Sequence, residues 1–225
     1  MADVDNEVEI MGLEEIEIEN TSIDDIDNES INLIFVGIDK SGSMFPYKND
    51  MISSLIEFKS ALGSSKEVDE MLVARADFNG DITVGGYKKV SDFNTDYDAN
   101  GLTSLYDVVV EGTDKLVAYM DYLKQQGMRV KAVFAIFTDG EDTSSKKVVS
   151  DAKNKIKELN DREITTAFIS FSGDAMKEAT RLGFTNVLPV GSSATELRKA
   201  FNCLSKSVIE SSKSVVADGD DFFTM

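Results

Sequence analysis

The stretch that most constrains this chain is Ile31 to Ile38, INLIFVGI, which is apolar almost throughout and ends abruptly in Asp39-Lys-Ser-Gly-Ser43. A strand with one solvated face alternates apolar and polar residues, whereas one that is apolar at nearly every position is buried on both faces, as in a parallel sheet covered by helices. Residues 129 to 137, RVKAVFAIF, and 164 to 171, ITTAFISF, read the same way. Helical spacing separates such runs: Met51, Leu55, Phe58 and Leu62 in one segment, and Leu105, Val109, Leu116, Val117, Met120 and Leu123 in another. Amphipathic helices follow at 145 to 159 and 193 to 212, with a short helix at 174 to 182 and a last strand at 185 to 190.

One pair of strands departs from this alternation. Residues 70 to 78 and 81 to 90 flank Asn79-Gly80, a dipeptide that favours a two-residue hairpin connection and so one antiparallel strand, placed at an edge. The element order is therefore βαββαβαβαβα. It specifies an α/β fold, doubly wound, with a mostly parallel central sheet, one antiparallel edge strand and helices on both faces.

Charge divides the chain differently. The 225 residues carry a net charge of −18, yet residues 1 to 30 hold twelve acidic side chains and no Lys or Arg, leaving −6 for the rest. The domain reading is an acidic, disordered tail over 1–30, a folded body over 31–213 and a short acidic and aromatic tail over 214–225, which ends near the Phe222-Phe223 pair. The Ile/Glu alternation of the first tail also permits docking as a strand on a sheet edge, and the Phe pair reads equally as a clip onto the body or as a partner motif. The acidic balance excludes nucleic acid and anionic membrane surfaces as partners. No apolar run reaches membrane-span length and the N-terminus is acidic, so a cytoplasmic location is expected. With no histidine, imidazole-based zinc sites and Ser-His-Asp hydrolysis are out, and the single Cys203 reads as a small buried apolar residue.

In an open α/β sheet, ligands bind beyond the carboxyl ends of the strands, where the strand order reverses. Three polar clusters fall at that end: Asp39, Ser41 and Ser43 after the first strand, Thr103 before the long helix, and Asp139 after the strand at 129 to 137. Hydroxyls and carboxylates offer hard oxygen donors, with no nitrogen or sulfur, and suit Mg²⁺, Mn²⁺ or Ca²⁺. In Asp-x-Ser-x-Ser the alternate side chains of an extended loop face one way, and Gly42 permits a tight turn.

The stretches DKSGSM, GLTSLYD and FTDGED resemble the three loops of the metal-ion-dependent adhesion site, or MIDAS, of von Willebrand factor type A (vWA) domains. The likeness extends over residues 31 to 213, including the order of elements. It implies a Rossmann-like vWA fold in which Ser41, Ser43 and Thr103 hold a divalent cation, while Asp39 and Asp139 balance its charge directly or through water. It also implies a protein partner that supplies an Asp or Glu to the open coordination position, and a binding module with no enzymatic activity. The SGSM and TDGEDTSS loops are similar to those of bacterial intracellular members, which work beside AAA-type ATPases or in stress systems such as tellurium resistance.

Two other functions compete with adhesion. A Mg²⁺-dependent phosphoester hydrolase would use a strand-end aspartate, but Ser41 stands where an Asp-x-Asp pair needs its second carboxylate, and no phosphate loop is present. A structural protein would use the metal only to pin loops. Around the cluster, Lys40 reads as a solvated side chain or as a cation steering an acidic partner. Asp107 reads as a favourable first-turn acid or as an orienting group, Glu141 and Asp142 as solvated loop residues or water-holding ones. Met44 and Phe45 either form an apolar rim or fold back on the core.

Overall fold

A computed structural model describes residues 29–65, 70–190, 193–213 and 222–223. The segment 1–28 and residues 214–221 and 224–225 lie outside the described residues, and with them the expectations made for the first tail and for all of the second but Phe222-Phe223.

The elements run β1 (Ser30–Asp39), a 3-10 turn (Gly42–Tyr47), α1 (Lys48–Gly63), β2 (Glu70–Phe78), β3 (Ile82–Val84), β4 (Lys88–Lys89), α2 (Leu105–Gln125), β5 (Arg129–Thr138), α3 (Val149–Asp161), β6 (Thr165–Ser170), α4 (Gly173–Leu182), β7 (Asn186–Pro189) and α5 (Ala194–Lys213). They form one seven-stranded sheet in the order β3-β2-β1-β5-β6-β7, with β4 also on β2. The β2-β1-β5-β6-β7 pairings are parallel, and β3 and β4 share the antiparallel edge. The edge expected over 81 to 90 is thus interrupted: between β3 and β4 the Gly85 amide donates to the Arg75 carbonyl at 2.9 Å.

The hairpin connection differs from the two-residue turn that Asn79-Gly80 suggests. Phe78 pairs with Ile82, so three residues connect the strands. The Asn79 side-chain carbonyl accepts from the Asp81 amide at 3.1 Å, holding Asp81 in the turn and out of the ladder.

The two faces of β1 explain its unbroken apolar run. Ile31, Leu33 and Phe35 point into a layer made with α2, α3 and α4, and Ile34, Val36 and Ile38 into a layer made with α1 and α5. Aromatic stacking marks both: Phe35 on Phe134 with centroids 4.7 Å apart, and Phe137 on Phe201 at 4.1 Å. Gly112 lets α2 lie directly on Phe35, since a Cβ there would sit 2.3 Å from the ring. Phe222 is 2% exposed and joins the α1/α5 layer, its amide donating to Asn186 Oδ1 at 3.1 Å, which for this residue is the clip rather than the free motif.

From β1 the chain steps to β2 on one side and to β5 on the other. The strand order therefore reverses between β1 and β5, and the crevice above that point is bounded by Asp39 and by Thr138-Asp139. Among the described residues no helix is long and apolar enough to cross a membrane.

Candidate metal centre

The floor of the crevice is set by β1. Asp39 is its last residue and is fully buried, because the strand runs through the middle of the sheet. Its Oδ1 accepts from the Ser41 amide at 2.7 Å, and its Oδ2 accepts from the Thr138 hydroxyl at the end of β5. The phenol of Tyr97 donates to the Asp39 carbonyl at 2.7 Å and closes the cluster from the loop before α2.

Beyond Asp39 the chain does not continue as an extended loop. Ser41 retains extended backbone, but Gly42 begins a 3-10 turn that carries Ser43 and buries Met44 completely. The Gly42 amide donates to the Gly101 carbonyl at 3.0 Å, joining this loop to the one that carries Thr103. Gly101 has φ +83°, a left-handed conformation that side-chain-bearing residues rarely adopt.

Four of the five expected residues are linked in a chain of hydrogen bonds from Asp39 through Ser41 and Ser43 to Asp139. Ser41 Oγ lies 3.0 Å from Ser43 Oγ, and Ser43 Oγ donates to Asp139 Oδ1 at 2.9 Å. Thr103 is 5% exposed, and its hydroxyl lies beside Gly140, where a Cβ would come within 3.9 Å of it. Asp39, Ser41 and Thr103 are buried, Asp139 is half-buried and Ser43 is exposed, so the donor set rises from a dry floor to a wet lip.

The electrostatics of this arrangement favour a cation. Burial is the main cause that pushes the Asp39 carboxyl up to about 6, with the Asp139 charge adding to it and hydrogen bonds from Thr138 and Ser41 opposing. Burial also raises Asp139, against the hydrogen bond from Ser43. Lys40, between Asp39 and Ser41 in sequence, is not a free steering charge, since it forms an ion pair with Asp77 at 3.7 Å. The donors fit a hard divalent ion: two carboxylates that hold negative charge at a cost, three hydroxyl oxygens, and an exposed side for water or a further ligand. Among the described residues no group of three or more His, Cys, Asp or Glu side chains forms an alternative centre.

A second network holds Thr103 in place. The Thr103 amide donates to Thr143 Oγ1 at 2.8 Å, and the Thr103 carbonyl accepts from the amides of Thr143 and Ser144 at 2.8 and 3.1 Å. Asp107, 7% exposed, accepts from the amides of Lys146 and Lys147 at 3.0 and 2.8 Å, and its own amide donates to Ser145 Oγ at 3.0 Å. Asp142 accepts from the Tyr106 amide and the Ser145 hydroxyl. Asp107 and Asp142 are thus ties between α2 and the β5–α3 loop, and Glu141 stays exposed. Thr138, Tyr97 and Thr143 were not singled out from the sequence. Thr138 sits beside Asp139 in the motif itself, while Tyr97 and Thr143 lie in loops without periodicity.

Away from the crevice, Cys203 is only half-buried in α5, and burial pushes its thiol up from the ordinary range, which disfavours a nucleophilic thiolate.

No protein-family model and no curated protein sequence matches the chain. Solved structures do. The pilus adhesin SpaC of Lactobacillus rhamnosus GG superposes with a TM-score of 0.63 at 12% identity, covering 83% of this chain and 31% of that one. A vWA protein of Catenulispora acidiphila gives 0.56 at 18% identity over 80% of this chain and 43% of the other. Proximal thread matrix protein 1 of the mussel byssus, solved with zinc in its MIDAS motif, gives 0.57 at 17% identity over 80% and 46%. This chain therefore spans less than half the length of each of these three proteins. The sheet order, the antiparallel edge and these superpositions together assign the chain the Rossmann-like fold of a vWA domain.

Proposed function

We propose that the crevice between β1 and β5 is a divalent-cation site and that the chain is a binding module capturing an Asp or Glu of a partner protein. The observation that carries this reading is Asp39: a fully buried carboxylate at a strand end, linked through Ser41 and Ser43 to a second carboxylate, Asp139, on an exposed lip. Such a pair resists ionisation alone, and a cation removes the resistance.

In this reading Ser41, Ser43 and Thr103 supply hydroxyl oxygens, and Asp39 and Asp139 balance charge directly or through water. The ion, Mg²⁺ or Mn²⁺ or Ca²⁺, would draw in a carboxylate from outside; the protein's own residues hold the donors, exclude water below Asp39 and leave the Ser43 side open. The vWA protein supports the fold, the byssus protein with zinc in its MIDAS motif supports the principle of a metal on such a fold, and the pilus adhesin supports a binding role. Binding is favoured over phosphoester hydrolysis because Ser41, not a second aspartate, stands two residues after Asp39. The body over 31–213 carries the site, with the acidic segment 1–30 outside it.

The test is capture of partners from native lysate by the wild-type chain and by Asp39→Ala, with Mg²⁺ and with chelator. Capture is expected to require both Asp39 and metal. Partners retained through chelation and through Thr103→Ala would overturn the mechanism.

A further inference from the structure

Among the described residues five large apolar side chains are exposed: Phe45, Ile56, Leu102, Val148 and Met176. Scattered singly, such residues need no explanation. Here four of the five sit at one end of the molecule. Phe45 follows β1, Leu102 immediately precedes Thr103, Val148 caps α3 after β5, and Met176 lies in the first turn of α4 after β6. That end is the one bearing the crevice; only Ile56, in the body of α1, is elsewhere.

Two of the four lie beside donor residues in the chain, Phe45 near Ser43 and Leu102 next to Thr103. Phe45 is two residues past Ser43 and 61% exposed, and Leu102 is 57% exposed. Their loops are joined by the Gly42 amide to Gly101 carbonyl bond. Neighbours in a 3-10 turn point about a third of a turn apart, so burying Met44 as the anchor leaves Phe45 displayed. Gly101, with its positive φ, sets the turn from which Leu102 emerges.

We propose that these side chains form an apolar collar around the crevice, and that its occupant is an extended protein segment whose acidic residue has a large apolar side chain two positions away on each side. This rests on the carboxylate-capturing reading above and specifies its partner. Alternate residues of an extended segment face the same way, roughly 7 Å apart. An acid directed into the crevice therefore carries the residues at i−2 and i+2 onto its rim, where Phe45 and Leu102 stand. Charge favours the same pattern: Asp39 and Asp139 already offset a divalent ion, so each incoming carboxylate adds one uncompensated negative charge, and a single acid costs far less than three.

The chain's own acidic segment offers no acid with an apolar residue on both sides: Glu14 has Gly12 and Ile16 at these positions, and Glu15 has Leu13 and Glu17. In Glu14-Glu-Ile-Glu-Ile-Glu19, an extended backbone that turns Glu17 inward also turns Glu15 and Glu19 inward and both isoleucines away. Residues 13–20 are thus a poor occupant, and a partner with apolar flanking residues is preferred.

The full chain, ¹⁵N-labelled and saturated with Mg²⁺, is titrated with four peptides, a readout that extends to weak affinities: GSLSDSLSG, GSSSDSSSG, GSLSNSLSG and the chain's own LEEIEIEN. The first is expected to bind at least tenfold tighter than the second, about 1.4 kcal/mol, with LEEIEIEN no better than the second and the Asn peptide silent. In the double variant F45S/L102S, both changes at exposed positions, the first peptide is expected to fall to the level of the second. Equal binding of the first two peptides by the wild-type chain, or an undiminished preference in the double variant, overturns the collar and leaves metal-dependent capture standing. Binding by neither acidic peptide overturns the carboxylate-capturing reading itself.

Discussion

The two loops that meet over the β1–β5 junction are held in opposite ways. The loop after β1 is anchored by burial: Asp39 and Met44 are both fully inaccessible, and the carboxylate lies under the sheet's own end. The loop after β5, residues 139 to 148, places no large apolar side chain in the core, and its last residue, Val148, is exposed. It is fastened to the start of α2 by hydrogen bonds through Thr143, Ser144, Asp142 and Asp107. One half of the site is thus held by burial and the other by polar ties, while burial raises the carboxyls of both Asp39 and Asp139. The difference matters because the donor set draws on both halves, with Asp39, Ser41 and Ser43 from the first and Asp139 from the second.

Cutting the strongest tie gives the largest effect. Asp107→Ala leaves two backbone amides without their acceptor, and hydrogen bonds to a charged group contribute about 1.5–3 kcal/mol each. Urea denaturation is expected to show a loss of roughly 3 kcal/mol, with Asp107→Asn, which keeps one acceptor, losing about half. Divalent-ion affinity should fall alongside, as Thr103 and Asp139 lose their common support. A full stability loss with unchanged ion affinity would show that the second loop does not position the site.

The cost of burial at Asp39 is measurable by pH. The Asp39 carboxyl rises from 3.8 to about 6, so its stabilising contribution is complete below pH 4 and is lost as pH rises through 6. For the metal-free chain, Asp39→Asn is therefore expected to be neutral near pH 4 and to stabilise at pH 7, by up to about 3 kcal/mol. Saturating Mg²⁺ should reverse the order at pH 7, since only the carboxylate gains from the ion. Thermal melts of both proteins at the two pH values, with and without metal, check this; a variant less stable than wild type at pH 7 without metal would contradict the account.

Smaller changes sharpen the contrast. Ser144→Ala removes the Ser104–Ser144 hydroxyl contact of 2.9 Å and should cost about 1 kcal/mol in urea denaturation. Lys40→Ala breaks only the partly exposed pair with Asp77 and should change stability by less than about 0.5 kcal/mol. An effect of Lys40→Ala on ion affinity larger than that of Asp107→Ala would invert the comparison.

This asymmetry also governs what could be read from the sequence. The β1 half was legible because burial on both faces writes an unbroken apolar run, and the residue where it stops is Asp39. The parallel order, the two helical layers and the position of Asp139 followed from the same signal in β5. The polar half was legible only as composition: Thr143, Ser144 and Ser145 look like any hydrophilic loop, and nothing periodic connects them with residues forty positions earlier. Asp107 read as a favourable first-turn acid because its partners are backbone amides, which carry no residue identity. The hairpin turn is one residue longer than Asn79-Gly80 alone implies, because the Asn79 side chain competes with the ladder for the Asp81 amide. Phe45 and Met44 are adjacent and equally apolar, and only the 3-10 turn separates the buried one from the displayed one.

The central claim is that Asp39 and Asp139 share a divalent cation with the hydroxyls between them. Isothermal titration of the metal-free chain with Mg²⁺ or Mn²⁺ at pH 5.5 and 7.5, in buffers of different protonation enthalpy, tests it most directly. The expected result is one ion per chain, bound with net proton release at pH 5.5 that vanishes at pH 7.5, and lost in Asp39→Asn and in Thr103→Ala. Binding that survives both substitutions, or that releases the same number of protons at both pH values, would contradict it.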